Sequence, residues 1–342
     1  MVIVMQKDVA PELRQRVLDE VVALGFTPHV SEGETRTLIG AIGPAPTEEL
    51  REHLRALPGV ETVVRITKPF KLASREFRPD DSRVLIGDVP TGGDSFVVAA
   101  GPCGVESAEQ LQAAAAIVSR HGAQVLRGGA FKPRTSPYSF QGLGREGLAL
   151  LAAERQRTGM PIVTEVTSPD LVECVAETAD MLQIGARNSQ NFALLAEAGK
   201  SGRPVLFKRG LSTSISEYLQ AAEYVLSQGN PNVVLCERGI RTFETSTRFT
   251  LDISAVAVLK ELSHLPVWVD PSHAAGRRAL VPSLALASVA AGADGIIVEV
   301  HPTPETAKSD AAQQLDEAEF AALMSRVRAV AAAVGKLLGA ER

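Results

Sequence analysis

Residues 96–128 read FVVAAGPCGVESAEQLQAAAAIVSRHGAQVLRG. Two short apolar runs, FVVAA and QVLRG, flank a stretch with helical spacing that closes at Gly122, a helix C-terminal signal. Continuous apolar runs of this length read as strands buried on both faces. Strand, helix and strand in this order form a βαβ unit, which joins parallel neighbours. The rhythm recurs to the end of the chain. PIVTE, MLQIG, PVLFK, VVLCE, PVWVD and GIIVE follow, each separated from the next by a helix-like stretch. Eight such units predict a (β/α)8 TIM barrel over residues 95–342. A doubly wound open sheet is the alternative. Its dinucleotide-binding form is disfavoured, because no G-x-G-x-x-G follows the first strand.

The region before the barrel has a different order. MVIVM, FTPHVS, RTLIGAIG and VETVVRI read as strands, and PELRQRVLDEVVALG and TEELREHLRAL as helices. The order βαββαβ predicts a small ferredoxin-like domain over residues 1–66. Such a module holds an effector, mediates dimerisation or is a structural appendage. Residues 67–94 read as a linker and barrel cap, with RVLIGDV as a short strand.

Composition excludes several classes. Hydrophobic residues make up 45% and charged residues 22%, as in folded soluble proteins rather than disordered ones. The formal net charge of -5 and an aromatic content of 4% argue against nucleic acid as a partner. No apolar run reaches the roughly 18 residues of a membrane span, so no membrane role is expected. The start, MVIVMQKDV, lacks the pattern of a secretory signal. Three widely spaced cysteines, without CxxC, fit a reducing, cytoplasmic setting.

In such barrels the chemistry lies just past the C-terminal ends of the strands. Those positions read GPCGVES, RGGAFKPRTS, TEVTS, IGARNS, FKRGLS, CERGIR, DPSHAAG and VEVHPTPETAKSD. Six bases stand out among them: Arg127, Lys132, Arg134, Arg187, Lys208 and Arg238. Any one alone reads as a surface ion pair. Together they predict an anion pocket, because converging buried cations need an anionic partner. Cys103, His273, Glu299 and Asp310 follow strands one, seven and eight, which are neighbours in a closed barrel. A thiolate, an imidazole and two carboxylates form a mixed site for one divalent transition metal ion. The plainer readings are an inert buried Cys103, a satisfied core His273 and carboxylates paired with the nearby bases. His301 is a further candidate ligand, ranked below the four because side chains alternate along VEVHP. Cys174, Cys236 and Trp268 read as packing residues, and Lys308 as a solvated loop charge.

These motifs, with RGGAFKPRTSPYSFQGLG and the KSDAAQQL tail, resemble 3-deoxy-D-arabino-heptulosonate 7-phosphate (DAHP) synthase. The resemblance is to the type I beta branch with an N-terminal ferredoxin-like domain, and it spans nearly the whole chain. It implies a transferase that condenses phosphoenolpyruvate with erythrose 4-phosphate at the entry to aromatic amino acid biosynthesis. It implies that Arg127, Lys132, Arg187, Lys208 and Arg238 hold phosphoenolpyruvate. Lys132, Pro133, Arg134 and Thr135 would receive erythrose 4-phosphate. Lys132, Cys103, His273 and Asp270 are the implied catalytic residues, with Asp270 orienting a metal ligand. Manganese, zinc, iron and cobalt all suit the metal site. A tyrosine or phenylalanine effector at His29 and Ser31, and a homotetramer, are also implied. The alternative is a 3-deoxy-octulosonate 8-phosphate synthase that uses arabinose 5-phosphate. That relative typically carries K-A-N-R-S where this chain has Lys132-Pro133-Arg134-Thr135-Ser136.

Overall fold

The computed structural model describes residues 1–32, 37–64, 69–133, 136 and 138–339, and of residues 31 and 32 the backbone alone. They divide into two compact units, residues 1–81 with 262–264, and residues 82–261 with 265–342.

In the first unit, β1 (Val2–Met5), β2 (Thr27–Glu32), β3 (Thr37–Ile42) and β4 (Val60–Val64) form an antiparallel sheet in the order β2-β3-β1-β4. Helices α1 (Pro11–Ala23) and α2 (Glu48–Arg55) complete the ferredoxin-like βαββαβ order. Val17 and Val21 of α1 and Leu54 of α2 pack with Ile3, Met5, Ile39 and Val63 of the sheet. Thr47 caps α2 by accepting a hydrogen bond from the Leu50 amide.

The second unit opens with an antiparallel hairpin, β5 (Val84–Ile86) and β6 (Val89–Thr91). RVLIGDV therefore spans one strand, the turn and the first residue of the return strand, Val89. Eight parallel strands follow: β7 (Ser95–Gly101), β8 (Val125–Arg127), β9 (Ile162–Val166), β10 (Met181–Ile184), β11 (Val205–Lys208), β12 (Val233–Glu237), β13 (Val267–Val269) and β14 (Gly295–Glu299). Each pairs with the next, and β14 returns to pair with β7, which closes the barrel. The helices between and after them are α3 (Ala108–Arg120), α4 (Arg145–Thr158), α5 (Val172–Thr178), α6 (Phe192–Lys200), α7 (Ile215–Leu226), α8 (Ser254–Leu262), α9 (Pro271–Ala275), α10 (Val281–Ala290) and α11 (Glu317–Ala333). Ser214 with Glu217, and Asp316 with Glu319, form capping boxes that fix the starts of α7 and α11.

The barrel interior is built by residues spaced two apart, because alternate strand side chains face opposite sides. Val97, Ala99, Val125, Val163, Met181, Leu206, Val234, Cys236, Trp268 and Ile297 form one buried cluster. Val84, Ile86 and Val89 of the hairpin join it and close the N-terminal end. Two residues beyond the last interior residue of each strand stand Gly101, Arg127, Glu165, Gln183, Lys208, Arg238, Asp270 and Glu299. The same register that packs the core thus carries charged side chains into one layer at the C-terminal end. Gly101 lies at φ +151°, and a Cβ there would meet the Arg127 carbonyl oxygen at 2.0 Å. Only glycine lets the chain pass so close to Arg127 on its way to Cys103.

Candidate active site

The C-terminal layer opens into a cavity of about 230 Å³. Six cationic side chains line it: Arg127, Lys132, Arg187, Lys208, Arg238 and Arg248. Arg127, Lys208 and Arg238 come from strand ends, Lys132 from the β8–α4 loop, and Arg187 from a 3-10 turn at Ala186–Asn188. Arg127, Lys132, Lys208 and Arg238 are buried. Five of the six sequence-predicted bases therefore meet in one cavity, which Pro133 also lines. Arg134 and Thr135 lie outside the described residues.

Several of these charges have partners, but their donors are not used up. Arg127 Nη1 donates to Glu299 Oε1 at 2.6 Å, and Lys208 Nζ donates to Asp270 Oδ2. Lys132 Nζ donates to the Cys103 carbonyl oxygen at 3.0 Å and lies 3.1 Å from Cys103 Sγ. Arg127 Nε and Arg238 Nη1 are buried with no hydrogen-bond partner among the described residues. A buried donor without an acceptor is costly, so these atoms point to an anionic ligand. Burial lowers the pKa of Arg238. Burial also acts against the charges of Arg127 and Lys132, but Glu299 and Cys103 around the first, and Cys103 and Glu165 around the second, raise both.

Beside the cations, ligand atoms of Cys103, Glu299 and Asp310 lie within 4.8 Å of one another. His273 Nε2 stands 3.5 Å from Glu299 Oε1 and 3.7 Å from Asp310 Oδ2. The four residues predicted as metal ligands therefore share one corner of the site. His273 sits on α9, whose N-cap is Asp270. Asp270 accepts from the His273 amide at 2.9 Å through Oδ1 and pairs with the ring Nδ1 at 2.7 Å through Oδ2. Burial lowers the His273 pKa, which favours the neutral ring. With Nδ1–H donating to Asp270, the Nε2 lone pair faces the carboxylates, as ligating histidines are oriented. Burial, with the Glu299 carboxylate beside it, pushes the Cys103 thiol up to about 12. Glu299 is held below the ordinary carboxylate range, with burial outweighed by His273 and Arg127. A soft sulfur, an imidazole nitrogen and two carboxylates together fit a divalent transition metal ion.

His301 does not join this group. Strand β14 ends at Glu299, so strand alternation does not set the His301 direction. Its amide donates to the Leu315 carbonyl, its Nδ1 accepts from the Thr303 amide, and its Nε2 faces Glu106 Oε2 at 3.8 Å. Cys236 is in the barrel core, Trp268 donates from Nε1 to Thr91 Oγ1 at 2.8 Å, and Cys174 is half-buried on α5. Lys308 Nζ sits 5.3 Å from the centre of the Phe140 ring, a contact not foreseen for a solvated charge. His29 is half-buried on β2 opposite Gly40, and the Ser31 side chain lies outside the described ones.

Glu165, Gln183 and Arg248 line the cavity without having been singled out in the sequence. Glu165 Oε2 accepts from Gln183 Nε2 at 3.3 Å. The interior register from Val163 and Met181 marks both positions. Arg248 carries no such signal, since it lies in the loop between β12 and α8.

A family model described as the DAHP synthetase I family matches residues 61–334. The chain belongs to this family. A second model, the DAHP synthase ferredoxin-like domain, matches residues 1–68. A phospho-2-dehydro-3-deoxyheptonate aldolase from Thermotoga maritima is 49% identical over 335 residues, covering 98% of this chain and 99% of that protein. The crystal structure of the Thermotoga maritima phospho-2-dehydro-3-deoxyheptonate aldolase (DAHP synthase) superposes with a TM-score of 0.79 at 48% identity, covering 99% of each chain. A 2-dehydro-3-deoxyphosphooctonate aldolase from Syntrophotalea carbinolica is 36% identical over 256 residues, covering 69% of this chain and 91% of that one. As a member of the DAHP synthase family the chain is an enzyme, a transferase of the aldol-condensing type. No helix among the described residues is long and apolar enough to cross a membrane.

The register also explains a pair beneath the site. Arg209 and Glu237 stand one residue off the interior positions Lys208 and Arg238, and so point away from the cavity. Arg209 Nη1 donates to Glu237 Oε2 and to Asp252 Oδ2, both at 2.9 Å, and Glu237 Oε1 accepts from the Gly239 amide at 2.6 Å. Removing one partner leaves an uncompensated buried charge. Arg209→Met is expected to lower the unfolding free energy by about 3–5 kcal/mol, read from urea denaturation. A loss below about 1 kcal/mol, as for an exposed pair, would show that this network does not hold the two strand ends.

Proposed function

We propose that this DAHP synthase family member is a metal-dependent 3-deoxy-7-phosphoheptulonate synthase. C3 of phosphoenolpyruvate attacks the aldehyde carbon of erythrose 4-phosphate and forms the new C–C bond. Water adds at C2, and inorganic phosphate leaves by C–O cleavage. The observation that carries the reading is the set of six cations around one cavity, with buried donors left without acceptors among the described residues, beside a Cys/Glu/Asp group that His273 adjoins. The full-length match to the Thermotoga aldolase, ferredoxin-like region included, supports the seven-carbon over the eight-carbon product.

Arg127, Lys132, Arg187, Lys208 and Arg238 hold the phosphate and carboxylate of phosphoenolpyruvate. Negative charge moves onto phosphate as the C–O bond breaks, and cations already in place stabilise it without reorganisation. Lys132, kept charged beside Cys103 and Glu165, bridges the two substrates and donates a proton toward the nascent alkoxide. Lys132, Pro133, Arg134 and Thr135 receive erythrose 4-phosphate. Glu165, a cavity carboxylate outside the Cys103 group, takes a proton from the water adding at C2. Cys103, His273, Glu299 and Asp310 hold one divalent ion, with Asp270 orienting His273, and the ion supplies Lewis acidity toward a substrate oxygen.

The N-terminal unit is read as the sensor for tyrosine or phenylalanine, with His29 and Ser31 on the β2 edge as contacts. A homotetrameric, cytoplasmic enzyme belongs to the same reading.

Turnover is expected with erythrose 4-phosphate and phosphoenolpyruvate, to be lost on chelation and restored by a divalent metal. Full activity in excess chelator, or preference for arabinose 5-phosphate, would contradict the assignment. Calorimetric titration of the full chain is expected to show binding of tyrosine or phenylalanine that is lost in His29→Ala. Absence of binding by either amino acid would remove the sensor reading.

A further inference from the structure

Each carboxylate of the metal group contacts a further residue that lies outside the barrel strands. Gln313 is buried, and its Nε2 donates to Glu299 Oε2 at 2.6 Å. Its Oε1 accepts from Arg248 Nη1 at 3.0 Å. The same Arg248 Nη1 lies 3.4 Å from Asp310 Oδ1. One short relay therefore occupies one oxygen on each carboxylate. Their other oxygens, Glu299 Oε1 and Asp310 Oδ2, are the ones that face His273 Nε2. Asp310 itself sits at φ 49°, in the left-handed region that aspartate visits more readily than most non-glycine residues.

Arg248 also fixes the loop that bears it. Its amide and that of Phe249 donate to the carbonyls of Ala275 and Ala274 on α9, the helix of His273. Ile240 and Thr250 form an antiparallel bridge across the base of the loop. The Arg238 guanidinium lies 4.2 Å over the Phe249 ring. The loop between β12 and α8 thus touches the metal corner through Arg248 and the anion pocket through Phe249.

We infer that Gln313 and Arg248 are positioning residues for the metal ion, and that through Arg248 the bound ion further stabilises the β12–α8 loop. The inference rests on the metal site proposed above and adds the residues that aim its carboxylates. Residues that hold ligating carboxylates in this way typically change metal affinity by about 10–100-fold when removed. By linkage, whatever the loop contributes to ion binding, the ion returns as loop stability.

The test uses Co²⁺ with the full chain, because a thiolate-to-cobalt absorption band reports Cys103 ligation independently of activity. Affinity is measured by chelator competition in wild type, Gln313→Met, Arg248→Met and Arg248→Lys. The two methionine variants are expected to bind Co²⁺ at least about tenfold more weakly, while Arg248→Lys, which keeps a donor, recovers most of the affinity. Amide exchange over residues 240–250 is expected to slow on Co²⁺ addition in wild type and to be unaffected in Arg248→Met. Wild-type affinity in both methionine variants would overturn the inference, as would metal-independent exchange in the wild-type loop. A wild-type protein that shows no thiolate band would instead sink the metal site itself. Arg248 is part-exposed, so its variants carry the test if the buried Gln313→Met does not fold.

Discussion

Like charges forced into one low-dielectric layer repel, and this constraint organises the second unit. The strand register that buries Val125, Leu206 and Val234 also sends Arg127, Lys208 and Arg238 into the mouth of the barrel. Desolvation disfavours each of these charges. The protein answers locally with carboxylates: Glu299 for Arg127 and Asp270 for Lys208. Orphaned donors remain on Arg127 and Arg238. A dianionic phosphate and a carboxylate would satisfy what the protein leaves open, which would tie the proposed chemistry to the packing.

The same carboxylates link the two halves of the site. Glu299 pairs with an anion-pocket arginine and stands in the metal group. Asp270 pairs with an anion-pocket lysine and orients His273. Lys132 lies in the pocket and touches Cys103. Cation pocket and donor set are therefore one electrostatic unit, and a change in either is felt in the other. Arg209 and Glu237, pointing the opposite way from the same strand ends, neutralise each other outside the cavity and keep the alternation in phase.

Much of this was legible because it follows from short periods. Apolar runs alternating with helices marked the eight strands, and the ends of those runs named Cys103, Arg127, Lys208, Asp270 and Glu299. The period of two, carried one step further, also marks Glu165 and Gln183, which, being acidic and uncharged, do not belong to the cationic pattern at the other strand ends. Arg248 was not legible, because its place depends on a loop that folds back onto α9, a contact set by tertiary packing rather than by spacing. His301 shows the opposite hazard: a strand rule applied past the residue where the strand stops. Its direction is set by Thr303 and Leu315 instead.

The central claim is that a metal-ligating corner and a phosphate-gripping pocket share one barrel mouth. Crystals soaked with Mn²⁺ and phosphoenolpyruvate, with data collected at the manganese edge, test it most directly. The account predicts one anomalous peak ligated by Cys103, His273, Glu299 and Asp310, with the phosphate of phosphoenolpyruvate against Arg127, Lys208 and Arg238. A peak elsewhere, or phosphoenolpyruvate bound away from those three side chains, would contradict it.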